Sequence, residues 1–321
     1  MTSLGGRPLS GSAIASSAMY VVLRQVWSAV RPVTAQQRFL WWCGALLLAS
    51  GAVHAVVAAL DWAPWSGAVS WRKPVVFGMS FGVLSWSAVW VMRQLPVRRW
   101  GWLPASLLGT GSVVEVALIT MQRWRGEASH FNQKPAFDSA VWSVMGSVVI
   151  LVAFAVALFL VWSLVRFEGT PAARIAVVAG LLAILVSGYI GFGMAGEGEA
   201  VVDATGRVPD TVVFGAEGSA KLAHAVGMHG LQVLGLLAVG LGLRLPSARA
   251  QVRLMFLAVV GYGALFASVA TTAYAGLPWT APNRWPALIG LAGAAAVVAV
   301  FVVVARRLPL GIERHRTAVM R

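Results

Sequence analysis

Long apolar runs, separated by short polar segments, occupy most of the chain. A helix needs about 20 residues to cross ~30 Å of hydrocarbon, and eight runs are long enough. They cover residues 39–60, 74–95, 102–122, 139–165, 172–195, 220–243, 251–275 and 285–305. This pattern predicts an all-α fold, a polytopic transmembrane bundle of about eight helices that forms one domain over residues 39–305.

The two ends of the chain have a different pattern. Residues 13–31 are a mixed stretch with Arg24 and Arg31, which predicts an amphipathic segment on the membrane surface. We therefore expect residues 1–38 to be an interfacial segment and residues 306–321 to be a basic tail. Seven or nine spans remain possible, if residues 13–31 insert or if one apolar run does not cross.

Composition supports a membrane protein and excludes other classes. Of the 321 residues, 59% are hydrophobic and 11% are charged, against roughly 25% charged in an ordinary soluble domain. A soluble enzyme and a disordered chain are excluded on these values. Cys43 is the single cysteine, so the chain has no intrachain disulfide and no cysteine cluster for zinc or iron–sulfur.

The net charge of +14 is distributed unequally between the two sides. Alternating spans place seventeen basic and two acidic residues on one side, and eight of each on the other. The positive-inside rule then predicts that both termini are cytoplasmic, in a bacterial cell membrane. The bases are spread over several segments, which argues against nucleic acid as a partner and favours contacts with membrane lipids.

Lysines and histidines are concentrated on the less basic, outer side. All three lysines and four of the five histidines fall there, each in a polar cluster. Lysine is a compact, rotatable cation for which arginine is not an equivalent replacement. We therefore expect an outward-facing polar cavity built from His54, His130, His224, His229, Lys73, Lys134 and Lys221.

Glu115 is the only acid inside a predicted span. It lies about nine residues from Trp124, hence ~13 Å deep by helix rise and near the midplane. An ionisable side chain at that depth is costly and is a candidate functional residue. Gly111, Glu115 and Gln122 form a polar stripe that leads to the loop 127–134 and to Asp138. The alternative is a structural acid that pairs with a base of a neighbouring helix.

Three short strings resemble multi-pass bacterial membrane proteins of uncharacterised function. They are Trp-Arg-Lys-Pro at 71–74, Arg-Gly-Glu-Ala-Ser-His-Phe-Asn at 125–132 and Met-His-Gly-Leu-Gln at 228–232. The resemblance implies a membrane fold and no particular activity. The outer-side histidines are also similar in kind to those of membrane-embedded zinc hydrolases of the alkaline ceramidase type. The spacing differs, however, since His224 and His229 are five residues apart rather than four.

Our leading hypothesis is an integral membrane enzyme that acts on an anionic, lipid-like substrate. Fixed positive charges would bind the anion, and a buried acid or histidine would transfer protons. The candidate catalytic residues are Glu115, His130, His229 and Asp138. The candidate substrate-binding residues are Arg72, Lys73, Arg125, Asn132, Lys134, Lys221 and Gln232. A metal ion bound by His54, His224 and His229 would make the enzyme a metal-dependent hydrolase or an oxidoreductase.

Two other functions remain open. A b-type haem protein for electron transfer would use His54 and His229, or His224, as axial ligands, with Gly51, Gly227 and Gly230 leaving room for the ring. A proton-coupled transporter would use Glu115 as its protonation site. The sequence does not distinguish among these three functions, and a structural or assembly role also remains open.

Overall fold

A computed structural model describes Tyr20 and residues 23–306. The helices are α1 (Ala35–Asp61), α2 (Arg72–Met92), α3 (Trp102–Arg125), α4 (Ala136–Val165), α5 (Pro171–Thr205), α6 (Ala220–Met228), α7 (Gly230–Arg244), α8 (Ala248–Tyr274) and α9 (Arg284–Arg306). A 3₁₀ turn, Arg99–Gly101, leads into α3. Within the described ranges there is no β-strand, only an isolated antiparallel bridge between Phe214 and Gly218.

The eight membrane spans expected from the apolar runs are confirmed. Eight helical segments are long and apolar enough to cross a membrane, with α6 and α7 together making the sixth. Of the N-terminal segment, residues 23–30 are helical. The rest of residues 1–22 apart from Tyr20, and the tail beyond Arg306, lie outside the described residues.

Several helix starts follow from local sequence. Thr34 caps α1 in a capping box with Gln37, and Thr170 caps α5 ahead of Pro171 in the first turn. Ser247 accepts a hydrogen bond from the backbone of Ala250 at the start of α8. Such side chains satisfy N–H groups that have no partner within the helix.

Two boundaries differ from the sequence prediction. The fifth helix was expected to end near residue 195, but α5 continues to Thr205, so the following loop covers only residues 206–219. Side chains of neighbouring segments stabilise the additional helical turns. Trp142 Nε1 donates to Glu199 Oε1 at 2.9 Å, and Phe131 packs on Gly198.

The sixth span is also interrupted, at His229, which separates α6 from α7. Side chains compensate the carbonyl groups that the interruption frees. Tyr262 donates its hydroxyl to the carbonyl of Val226. The amide of Gln232 can donate to the carbonyls of Met228, at 3.1 Å, and His229, at 3.2 Å.

The helices form a ring with additions on its outside. α2, α3, α4, α5 and α7 contact one another in that order, and α7 returns to α2. α1 packs against α2 and α3, α6 and α8 pack against α5, and α9 packs against α8. Because α5 contacts four other helices, it connects the two halves of the bundle.

Small residues permit the closest helix approaches. A Cβ atom on Gly180 of α5 would lie 2.5 Å from the Cα of Leu231 in α7. A Cβ on Gly78 of α2 would lie 3.0 Å from the Cα of Gly51 in α1. Packing of this kind replaces the hydrophobic effect, which does not drive helix association inside a bilayer.

Candidate functional site

Four connecting segments meet at one end of the bundle, which we call the loop end: residues 62–71, 126–135, 206–219 and 275–283. The backbone N–H of Ala68 donates to Asp210 Oδ1 at 3.1 Å. The N–H of Glu217 donates to the carbonyl of Gly276 at 3.0 Å. These contacts join loops that are far apart in sequence, and most of the predicted site residues lie at or near this end.

The first group at the loop end ties together α1, α2 and α3, and we call it the tryptophan clamp: His54, Asp61, Trp71, Arg123 and Trp124. Arg123 forms an ion pair with Asp61 at 3.1 Å, and its guanidinium lies 3.9 Å from the Trp71 ring centroid. Trp71 Nε1 also donates to Asp61. Trp71 is 4% exposed, so its ring is buried within the protein.

Both ring nitrogens of His54 are occupied by protein groups. Nδ1 donates to the carbonyl of Ser50 at 2.7 Å, and Nε2 accepts from Trp124 Nε1 at 3.1 Å. No nitrogen of His54 is left for a haem iron or a metal ion. In the part of the chain that the structure describes, no three His, Cys, Asp or Glu side chains lie close enough together to hold a metal.

The second group surrounds Asp138, which is buried at the start of α4. Gln122 Nε2 donates to its Oδ1 at 3.0 Å, and Asn132 Nδ2 lies 3.3 Å from its Oδ2. Arg125 forms an ion pair with the same carboxylate and donates to Gln122. The structure therefore joins a candidate catalytic residue to two candidate binding residues, Arg125 and Asn132. Their mutual bonds fix the loop 126–135 between α3 and α4.

The third group is His130, at the centre of that loop. Its ring lies 5.6 Å from Phe77, 5.5 Å from Trp142 and 6.0 Å from Phe131, centroid to centroid. Its Nδ1 lies 2.9 Å from Ser129 Oγ. Burial lowers the pKa of His130, and the positive charges of Lys73 and Lys221 lower it further, to about 3. His130 is therefore neutral at physiological pH, and its Nε2 has no hydrogen-bond partner among the residues that are described.

Two lysines, Lys73 and Lys221, lie within electrostatic range of His130, and Arg72 lies within range of both lysines. We call Arg72, Lys73 and Lys221 the cation cluster. The positive charges of Lys221 and Arg72 repel that of Lys73, and Arg72 and Lys221 repel each other. All three side chains are half-buried. Lys221 donates to Thr211 Oγ1 at 2.9 Å, and none of the three has an acidic partner among residues 23–306.

The remaining candidates are dispersed. Lys134 is exposed on the loop 126–135, and Gln232 lies where its amide can donate to the carbonyls at the interruption between α6 and α7. His229 is exposed at that interruption. His224 is held against α5, where its Nδ1 donates to the carbonyl of Ser187 at 2.8 Å. His224 is also close enough to His229 for the two side chains to interact electrostatically.

Glu115 is buried in α3, with 2% of its surface exposed. Its Oε2 has no hydrogen-bond partner in the described part of the chain, and it forms no ion pair there. The alternative that it pairs with a base of a neighbouring helix therefore has no support among these residues. Gln122, on the same face, is fully buried, and Gly111 faces Val152 of α4.

A cavity that reaches from the loop end to Glu115 stays a prediction. Neither of the two depressions described in this structure is lined by Glu115. One is lined by Arg98, Trp100, Trp162 and Arg166 at the opposite end, and the other lies between α5 and α8.

Sequence reasoning missed the aromatic surroundings of His130 and the clamp around His54. The partners of His130 come from α2, its own loop and α4, and those of His54 from the residue that precedes α2 and from α3. One available signal was the position of Trp71 beside Arg72 and Lys73, where an aromatic side chain precedes a helix start. Comparison of the chain with protein-family models, with curated proteins and with solved structures gave no match.

Proposed function

We propose that this integral membrane protein is an enzyme that binds an anionic, lipid-like substrate at its loop end, with Arg72, Lys73 and Lys221 as the anion-binding groups. The observation that carries the proposal is the cation cluster itself. Three half-buried positive charges beside a neutral histidine, without an acidic partner among the described residues, are costly unless an anion compensates them. A phosphate or carboxylate group of an amphiphile provides that compensation at the membrane surface.

The chemistry follows from the state of His130. A neutral imidazole can accept a proton, but a pKa of about 3 makes His130 a weak base in the absence of substrate. It becomes a general base when a bound anion raises that pKa. In the tautomer that donates from Nδ1 to Ser129 Oγ, the lone pair of Nε2 is free to take a proton from water or from a substrate hydroxyl. The bound anion would offset the charges of Lys73 and Lys221 and so stabilise the imidazolium that forms. Reaction classes of this type are hydrolysis and group transfer to a hydroxyl.

The binding step is tested with purified protein and phosphatidic acid in mixed micelles, followed by native mass spectrometry and thermal stability. We expect phosphatidic acid to bind more tightly than phosphatidylcholine with the same acyl chains. Lys73→Gln and Lys221→Gln should each weaken that binding about tenfold, and added salt should weaken it further. Arg207→Gln, an exposed base at the same end, is the matched control and should bind normally.

The catalytic step is tested by incubating membrane lipid extracts with the protein and following products by mass spectrometry. We expect a product whose formation is lost in His130→Gln, while that variant still binds phosphatidic acid. Equal binding of phosphatidic acid by wild type and Lys73→Gln would refute the anion site. Unchanged turnover in His130→Gln would refute the role of the histidine.

A second candidate function, proton-coupled transport, has one specific observation in its favour. Glu115 is buried in α3 about fifteen ångströms from Arg125 by helix rise, and its Oε2 is unpartnered among the described residues. A carrier would need a group in that position to take up and release a proton. Uptake of a test solute into proteoliposomes should then depend on a pH gradient and be abolished by Glu115→Gln.

A further inference from the structure

A depression of about 440 Å³ lies at the loop end, on the side of α5 away from His130. It is formed by α5, α8 and the loop 206–219. Its main lining residues are Tyr189, Phe192, Gly193, Glu197, Phe214 and Tyr274. Four of these six are aromatic and one is a carboxylate, a combination that recognises organic cations.

The aromatic rings are arranged around a position without a side chain. Phe214 and Tyr274 stack with centroids 4.7 Å apart and planes at 12°. A Cβ on Gly193 would lie 3.4 Å from Phe214 Cζ and 3.9 Å from Tyr274 Oη. Glycine therefore leaves the space beside these rings open. Tyr189 and Phe192 form the other side and are 75% and 48% exposed.

The charge of this region is negative. Residues 197–217 contain five acids and a single base, Arg207. Glu197 is exposed at the rim of the depression and has no basic partner among the residues described. Its field favours a cation over the aromatic faces, the opposite preference to that of the cation cluster.

With Pro171 taken as the start of the span, helix length places the depression at the level where lipid headgroups begin. Counted from Pro171 at 1.5 Å per residue, Tyr189 and Phe192 lie ~27 and ~32 Å along α5, and Glu197 lies ~39 Å along it. The hydrocarbon core is ~30 Å thick. The two aromatic residues are thus at the edge of the hydrocarbon, and Glu197 is among the headgroups.

We infer that this depression binds the ammonium group of a phospholipid headgroup, with phosphatidylethanolamine as the representative ligand. The ammonium lies over the aromatic rings and pairs with Glu197, and the acyl chains run along the exposed faces of Tyr189 and Phe192. The inference is independent of the proposed function. Gly198, which contacts Phe131 beside His130, faces another side of α5.

The test compares phosphatidylethanolamine with phosphatidylglycerol of identical acyl chains, by native mass spectrometry of the full-length protein carrying Lys73→Gln and Lys221→Gln, so that the cation cluster does not bind the anionic lipid. We expect the ethanolamine lipid to bind about fivefold more tightly. Glu197→Gln and Tyr189→Leu should each bring that ratio close to one. Tyr189→Phe keeps an aromatic face and should retain the preference. Asp203→Asn, an exposed acid further along α5, is the matched control and should also retain it.

Unchanged melting temperatures will show that the variants are folded, since Glu197 and Tyr189 are exposed. Equal affinity for the two lipids in the Lys73→Gln, Lys221→Gln background would overturn the inference, because an ordinary aromatic belt does not distinguish headgroups. A preference that survives Glu197→Gln would overturn it as well. Free ethanolamine is titrated in parallel, and binding as tight as that of the lipid would overturn the assignment to a membrane lipid.

Discussion

Glu115 and Gln122 are both fully buried polar side chains on α3, but their surroundings differ. Gln122 donates to Asp138 at 3.0 Å and accepts from Arg125, whereas Glu115 Oε2 has no partner among the described residues. A buried polar group contributes to stability only when its hydrogen bonds are made. Similar burial therefore predicts opposite effects of substitution at these two positions.

We expect Gln122→Met to destabilise the protein by about 1–3 kcal/mol, because Asp138 and Arg125 each lose a bond. Glu115→Met should leave the melting temperature unchanged or raise it, since no hydrogen bond is lost. Thermal unfolding of both variants in one detergent, with identical replacement side chains, measures the difference. A greater loss from Glu115→Met than from Gln122→Met would show that Glu115 has a stabilising partner.

The state of His130 predicts how stability depends on pH. Its pKa in the folded protein is about 3, well below the ordinary value of about 6.5 for an unfolded chain. Between these values the unfolded chain binds more protons, so this residue makes the folded protein less stable as pH falls from about 6.5 toward 3. At pH 5.5 the loss is about 1 kcal/mol.

Melting temperatures of wild type and His130→Gln at pH 7.5 and pH 5.5 test this dependence. We expect the wild type to lose a few degrees more than the variant upon acidification. The comparison between the two proteins removes the contributions of the other histidines. Parallel pH curves for the two would contradict the low pKa.

At the scale of elements, the contact between α5 and α7 depends on Gly180. A Cβ at this position would lie 2.5 Å from the Cα of Leu231 and 2.9 Å from its backbone nitrogen. Backbone atoms cannot move aside as a flexible side chain does, so the helices would have to separate. α5 also contacts α4, α6 and α8, which makes this separation costly.

We predict that Gly180→Ala lowers stability by about 1–3 kcal/mol. Gly146→Ala is the matched control, because a Cβ there meets nothing within 4 Å. Alanine favours helix over glycine, so this second substitution should be neutral or stabilising by up to about 1 kcal/mol. Equal melting temperatures for the two variants would contradict the close approach of α5 and α7.

At the scale of the whole molecule, the distribution of charge predicts orientation. The strongly basic side should be cytoplasmic, which places the loop end outside the cytoplasm. Gln133 is exposed at the loop end, and Val97 is exposed at the opposite end, where it is 70% accessible. These two positions therefore report the topology.

We expect a membrane-impermeant maleimide added to intact cells to label Gln133→Cys and to leave Val97→Cys unlabelled. Both substitutions are made in a Cys43→Ser background, which serves as the unlabelled control. Permeabilised cells should give labelling at both positions. Labelling of Val97→Cys only, in intact cells, would reverse the predicted orientation and place the cation cluster in the cytoplasm.

Much of the architecture could be predicted from the sequence, because the bilayer imposes a simple length and polarity rule. Eight apolar runs predicted eight spans, and the structure has them. The length of α5 and the interruption at His229 could not be predicted. Residues 196–205 contain glycines and acids typical of a loop, and they remain helical through contacts with Trp142 and Phe131. The interruption is supported by Tyr262, which lies 36 residues away from Val226.

The candidate site likewise has features that could be predicted from the sequence and features that could not. The residue types at the loop end can be predicted from the sequence, because the alternation of spans places them there. Their pairing is visible only in the folded protein: Asp138 with Arg125, His54 with Trp124, and the cation cluster near His130 without an acid among the described residues. The physical reason is that membrane insertion depends on the polarity of each segment separately. Hydrogen bonds and ion pairs depend instead on distances between segments that are remote in the chain.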